Sequence, residues 1–75
     1  MSIDENRAYL AKRVEAKGGT MKASIFYGIS YFTLASILNG NRSMGEVTLQ
    51  RIKKADPKVN EHKLRAIKNY KGNDL

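Results

Sequence analysis

Apolar positions along this chain recur at three- and four-residue steps, and each stretch between breaks is about one short helix long. The breaks fall at Gly18-Gly19, Gly28, Asn39-Gly40, Met44-Gly45 and Asp56-Pro57, all turn-forming sequences. Ile3, Leu10 and Val14 share one helical face behind a capping-box spacing, Ser2-Ile3-Asp4-Glu5. They predict a helix from about residue 4 to Lys17, stopped by Gly18. Further helices are expected over about 20–27 and 31–38. Ser43-Met44-Gly45-Glu46 repeats the capping-box spacing and predicts a fourth helix, with Leu49 and Ile52 turned inward. A fifth is expected over Asn60–Lys71 with Leu64 and Ile67 on one side, and residues 72–75 read as a frayed end. Strand-type alternation is not sustained; only Ile25–Leu38, rich in β-branched and aromatic residues, leaves a strand reading open. The expectation is an all-α bundle of about five short helices, one domain spanning residues 1–75.

Composition narrows the classes. A chain of 75 residues buries only about 60% of its unfolded surface, so its stability is marginal. Cysteine is absent, which excludes disulfides and thiolate metal sites, and a single histidine, His62, makes no zinc set. His62 reads as an exposed helix residue. Neither a metal nor a cofactor nor a small-molecule ligand is expected. No apolar run is long enough to span a bilayer, and the acidic start MSIDENRAYL is not a signal peptide, so a cytoplasmic site is the default expectation.

Charge points to a partner. Fourteen Lys/Arg against seven Asp/Glu give a net +7, which favours a polyanion: nucleic acid first, an anionic membrane surface second. The second half is the more basic, with eight cations between Arg51 and Lys71. Enzyme chemistry finds no support, because no nucleophile set, paired carboxylates or phosphate-cradling glycine loop is present. A membrane-surface peptide fits poorly with turn glycines that cut the chain into short packed helices.

The informative segment is Thr20–Arg42, TMKASIFYGISYFTLASILNGNR. Two short helices meeting at Gly28-Ile29-Ser30 need a residue at positive φ, which glycine adopts without a Cβ clash. Close packing of the pair needs a small residue four before it, and Ser24 is there. Ala23, Tyr27, Ile29, Leu34 and Ile37 have the spacing to fill the angle between the helices. Ser30 is placed to cap the second helix, and Asn39-Gly40 to end it.

These residues resemble the lambda-repressor/Cro-like (XRE-type) helix-turn-helix family. The matching pattern is a small residue, Ser24, then Gly28-Ile29-Ser30, a variable helix, and the close Ile37-Leu38-Asn39-Gly40, with twelve residues from Gly28 to Gly40. A following Asn41-Arg42, loop and Thr48-Leu49-x-x-Ile52 helix also match, so the likeness covers about residues 5–55. Two positions depart from it. Thr20 stands where the family often has Gln, which removes a contact that braces the phosphate grip, and Ser24 stands where it usually has Ala.

The resemblance implies a motif over about 20–39 whose second helix enters the major groove. Tyr31, Phe32, Thr33, Ala35 and Ser36 would then face the bases, with Arg42 as the strongest direct reader by chemistry, and Leu34, Ile37 and Leu38 would face inward. Thr20, Lys22, Asn39, Asn41, Arg51, Lys53 and Lys54 are the candidates for phosphate. Plainer readings stand beside these: Tyr31 and Phe32 closing a small core, Asn39 as a helix cap only, Arg42 and the basic helix face merely solvated. The expected function is a sequence-specific duplex-DNA-binding transcription regulator, a phage-type or mobile-element repressor or Cro-like protein. It is expected to act as a homodimer through Leu64, Ile67 and Tyr70. The competing reading is a protein-binding adaptor or antitoxin-like module whose basic surface meets nucleic acid non-specifically.

Overall fold

A computed structural model of the chain describes residues 5–68. Five helices follow one another: α1 (Glu5–Ala16), α2 (Thr20–Tyr27), α3 (Tyr31–Leu38), α4 (Glu46–Ala55) and α5 (Glu61–Arg65). Among the described residues there is no strand, so the β-branched stretch Ile25–Leu38 is helical on both sides of its glycine. Leu10, Val14, Ala23, Tyr27, Leu34, Ile37, Leu49, Ile52, Leu64 and Ile67 form one core, shared by all five helices and the segment just after α5. Ile3, expected to share the α1 face, lies outside the described residues, as do the first capping box and Tyr70.

The first three helices end the same way. After each, one N–H returns to a carbonyl three residues back and the next reaches five back: Gly18 to Glu15 and Gly19 to Val14, Gly28 to Ile25 and Ile29 to Ser24, Gly40 to Ile37 and Asn41 to Ser36. This paired closure satisfies carbonyls that a helix end would leave bare. It requires the left-handed region at its glycine, and Gly28 sits there at φ 72°, ψ 34°. A Cβ built on Gly28 meets nothing within 4 Å, so a side chain there costs backbone strain, not collision. Gly28→Val should therefore destabilise by about 2 kcal/mol, toward the upper end for a β-branched residue at positive φ, and Gly28→Asn by clearly less. Urea melts of the two variants check this; equal midpoints would mean that φ is not what the glycine supplies.

Two expected boundaries shift. Ser43 does not cap α4; the N-cap is Gly45, extended at φ −82°, ψ 161°, without a side-chain cap bond. The cause is tertiary: the buried Met44 donates its N–H to the Ile67 carbonyl at 3.1 Å, which draws the loop out straight. The same bond shortens the last helix. α5 starts as expected, with Asn60 Oδ1 accepting from the Lys63 N–H, but it closes at Ala66 and the chain turns so that Ile67 is buried.

Three polar links hold the helices in register. Arg7 is buried on α1; its Nε donates to the Ile37 carbonyl at 2.5 Å and its Nη2 to the Lys68 carbonyl at 2.6 Å. Arg13 Nη2 donates to Asp56 Oδ2 at 2.5 Å, and the Asp56 carboxylate holds the Arg13 guanidinium above its ordinary value. Tyr9 Oη accepts from the Asn60 N–H at 2.8 Å.

On the surface, Glu61 accepts from Lys53 at 2.6 Å and Arg65 at 2.5 Å, and Arg65 also reaches Glu46 at 2.5 Å. The hydrogen bond from Lys53, then that from Arg65, lowers the Glu61 carboxyl from its ordinary 4.5 to about 2. A folded value below the unfolded one stabilises the fold above pH 4.5, and the gain is lost as the pH falls through about 2. The pair is solvent-screened and its contribution is small. Melting temperatures over that window should fall more steeply for the unaltered chain than for Glu61→Gln; parallel curves would refute the linkage.

Candidate nucleic-acid interface

The site is built on α3 and the corners at its two ends. At the near end, α2 stops at Gly28 and Ile29 tucks against the core. Ser30 then takes extended backbone, and its Oγ accepts from the Phe32 N–H at 3.1 Å and the Thr33 N–H at 3.4 Å. Two of the bare N–H groups of α3 are thereby held by a side chain. Behind the turn, Ser24 is buried and gives its hydroxyl to the Met21 carbonyl at 2.7 Å, so the small residue keeps α2 close without leaving an unpaired polar group. At the far end, the Ile37 carbonyl accepts from both Gly40 and Arg7. Both ends of α3 are thus fastened by hydrogen bonds as well as by packing.

What the helix presents outward follows from that clamping. Leu34 and Ile37 are fully buried and Leu38 packs against the core edge. Tyr31 is exposed and Phe32 is 79% exposed, their rings 6.1 Å apart and edge to face. Neither ring closes the core, so that plainer reading of the pair is overturned. Thr33, Ala35 and Ser36 are half-buried along the same helix. The outward face therefore carries two aromatic rings, the three hydroxyls of Tyr31, Thr33 and Ser36, and the Ala35 methyl, without a charged group. Asn39, Asn41 and Arg42 are exposed just past it. Asn39 closes the helix in right-handed geometry and leaves the left-handed position to Gly40.

The cations divide by environment. At the start of α2, Lys22 is exposed and Thr20 half-buried. On α4, Arg51 Nη1 donates to the Gly28 carbonyl at 2.9 Å, a brace on the turn that sequence reasoning did not anticipate. Lys53 is paired with Glu61. Lys54 is exposed and, with Arg51, lines an open groove between α2 and α4. Two of the three α4 cations named for phosphate are thus engaged within the protein. His62 is exposed on α5.

One expectation is corrected outright. Leu64 and Ile67 are 0% and 1% exposed, inside the protomer's own core, and no partner can reach them in the folded chain. Arg7 is the structural residue that the sequence reading missed; its spacing with Leu10 and Val14 puts it on the buried stripe of α1. Among the described residues no group of three or more His, Cys, Asp or Glu could hold a metal ion, and no helix is long and apolar enough to cross a membrane.

No protein-family model, curated protein or solved structure matches the chain, so function is argued from these side chains themselves.

Proposed function

We propose that this chain is a sequence-specific duplex-DNA-binding regulator of transcription and that α3 is its recognition helix, laid in the major groove. The observation that carries the proposal is the pairing of a helix fixed at both ends with an outward face of side chains the fold does not use: Tyr31, Phe32, Thr33, Ala35 and Ser36. A groove-reading helix needs that rigidity, because base edges are recognised by hydrogen bonds and methyl contacts with little positional slack. Phe32 is suited to a thymine methyl, and the hydroxyls of Tyr31, Thr33 and Ser36 to base edges or phosphate. Arg42 is the candidate for guanine. Thr20, Lys22, Asn39 and Asn41 flank the helix and supply the phosphate grip. With an uncharged reading face, affinity rests largely on phosphates and DNA shape.

Eight helical residues cover too few base pairs for a unique site, so a two-fold dimer on a near-palindrome is part of the proposal, its half-sites about 34 Å apart. Its interface lies away from Leu64 and Ile67. Occlusion of a promoter in the cytoplasm, in the manner of a phage-type repressor, is the mode of action such a reader supports.

Selection of bound duplexes from a random pool, followed by footprinting, tests this. The expected result is an enriched two-fold site with thymine in each half. Phe32→Ala should then relax preference at one base pair per half-site by about 1–3 kcal/mol while the melting temperature stays put. Lys22→Ala should weaken all duplexes alike. A pool that returns no enriched sequence would end the sequence-specific reading.

A further inference from the structure

The outer side of α2 is not accounted for by DNA reading. Met21, Ile25 and Phe26 are 59%, 74% and 47% exposed, while Ala23, Ser24 and Tyr27 are buried, so this helix carries apolar side chains on both sides, with the exposed Lys22 among the outward ones. Exposed aliphatic residues scattered singly are ordinary, but three on one short helix face are not. The face runs into the open groove lined by Phe26, Gly28, Arg51, Lys54 and Ala55, to which α3 contributes nothing and in which no acidic residue stands. Lys17 Nζ lies 4.2 Å from the centre of the Phe26 ring, adding a third cation to the rim. Arg51 is held in place by its bond to the Gly28 carbonyl.

We infer that this face and groove are a docking surface for an acidic amphipathic segment of a protein partner. Charge complementarity selects the occupant. A second copy of the chain, placed by a two-fold axis, would set Lys17 and Lys54 against their own duplicates. A nucleic acid would match the cations but would leave the aliphatic Met21 and Ile25 against hydrated sugar and phosphate. Apolar side chains flanked by carboxylates satisfy both halves of the surface, in the way amphipathic helices seat in grooves. The Arg51 bond also places the partner's carboxylates one residue from the turn that orients α3.

The test uses the full chain and two synthetic helical peptides with one leucine and phenylalanine stripe, flanked either by glutamates or by lysines. Fluorescence anisotropy should show the glutamate peptide binding at least about tenfold tighter, a difference of about 1.4 kcal/mol. Ile25→Gln and Phe26→Gln, which add no charge beside Lys22, should each weaken that binding by about tenfold or more, with melting temperature and duplex-DNA affinity unchanged. Equal affinity for the two peptides, or none for either, would overturn the inference. So would displacement of the glutamate peptide by a single-stranded oligonucleotide. Self-association in sedimentation that Ile25→Gln abolishes would overturn it too, by giving the face to a second copy.

Discussion

Raising the salt from about 50 to about 200 mM should weaken duplex-DNA binding about a thousandfold. Each neutralised phosphate releases condensed counterions, and log affinity falls by about 0.9 per contact per decade of salt. About three cations per protomer, about six in a two-fold dimer, give a slope of roughly −5. The side chains available for them are limited by the fold: Lys53 and Arg65 are tied to Glu61 and Glu46, and Arg51 to the Gly28 carbonyl. Lys22, Arg42 and Lys54 stay exposed, and the polar groups of Thr20, Asn39 and Asn41 stand beside the reading helix. Anisotropy titrations of one duplex across the salt series measure the slope directly. An affinity that ignores salt would remove the electrostatic basis of the proposed function, whereas a slope near −2 would confine the phosphate grip to two or three side chains.

Arg7→Met should be the most damaging single change on the protein side, at about 2–3 kcal/mol. Methionine keeps much of the apolar stem but supplies no donor. The Ile37 carbonyl still accepts from Gly40, but the Lys68 carbonyl loses the guanidinium, and a hydrogen bond to a charged donor contributes about 1.5–3 kcal/mol. Loss of the link between α1, the end of α3 and the chain after α5 adds to that. A domain of this size holds about 3–5 kcal/mol in all, so the variant should sit near its folding limit. At about 4–8 °C per kcal/mol, the melting temperature should drop by about 10 °C or more. A drop under about 3 °C would mean that Arg7 is a solvated side chain in practice.

The parts of the fold that could be read in advance are those governed by neighbours in sequence. The bounds of α2 and α3 came from Gly28, Ser30 and Asn39-Gly40, each of which acts through bonds to residues within five positions. What could not be read depends on partners far along the chain. The Met44–Ile67 bond spans 23 residues; it overrode the Ser43 capping box and ended α5 early. The same bend took Ile67 into the core, which removed the surface that a longer amphipathic helix would have offered. Arg7 lay hidden because an arginine in a basic chain reads as solvated, although its position on the Leu10–Val14 stripe was the available signal. At the candidate interface, helical spacing alone could not say whether Tyr31 and Phe32 faced inward; that was decided by Leu34 and Ile37 filling the core beneath them.

The Arg7–Lys68 link joins residues 61 positions apart, and its consequence lies in the order of synthesis. A growing chain makes α1 first, and the glycine corners after α1, α2 and α3 can form as soon as each leaves the ribosome, since all their bonds are local. Those corners should set within microseconds to milliseconds of emergence, as locally bonded helical segments do. The buried arginine near the start of the chain, however, waits for a carbonyl made more than sixty residues later. Until residue 68 has cleared the exit tunnel, the end of α3 lacks part of its fastening and the core lacks Leu64 and Ile67. The chain is thus held short of its folded form until residue 68 emerges, and α3 becomes rigid in one late step when the two ends of the described fold meet.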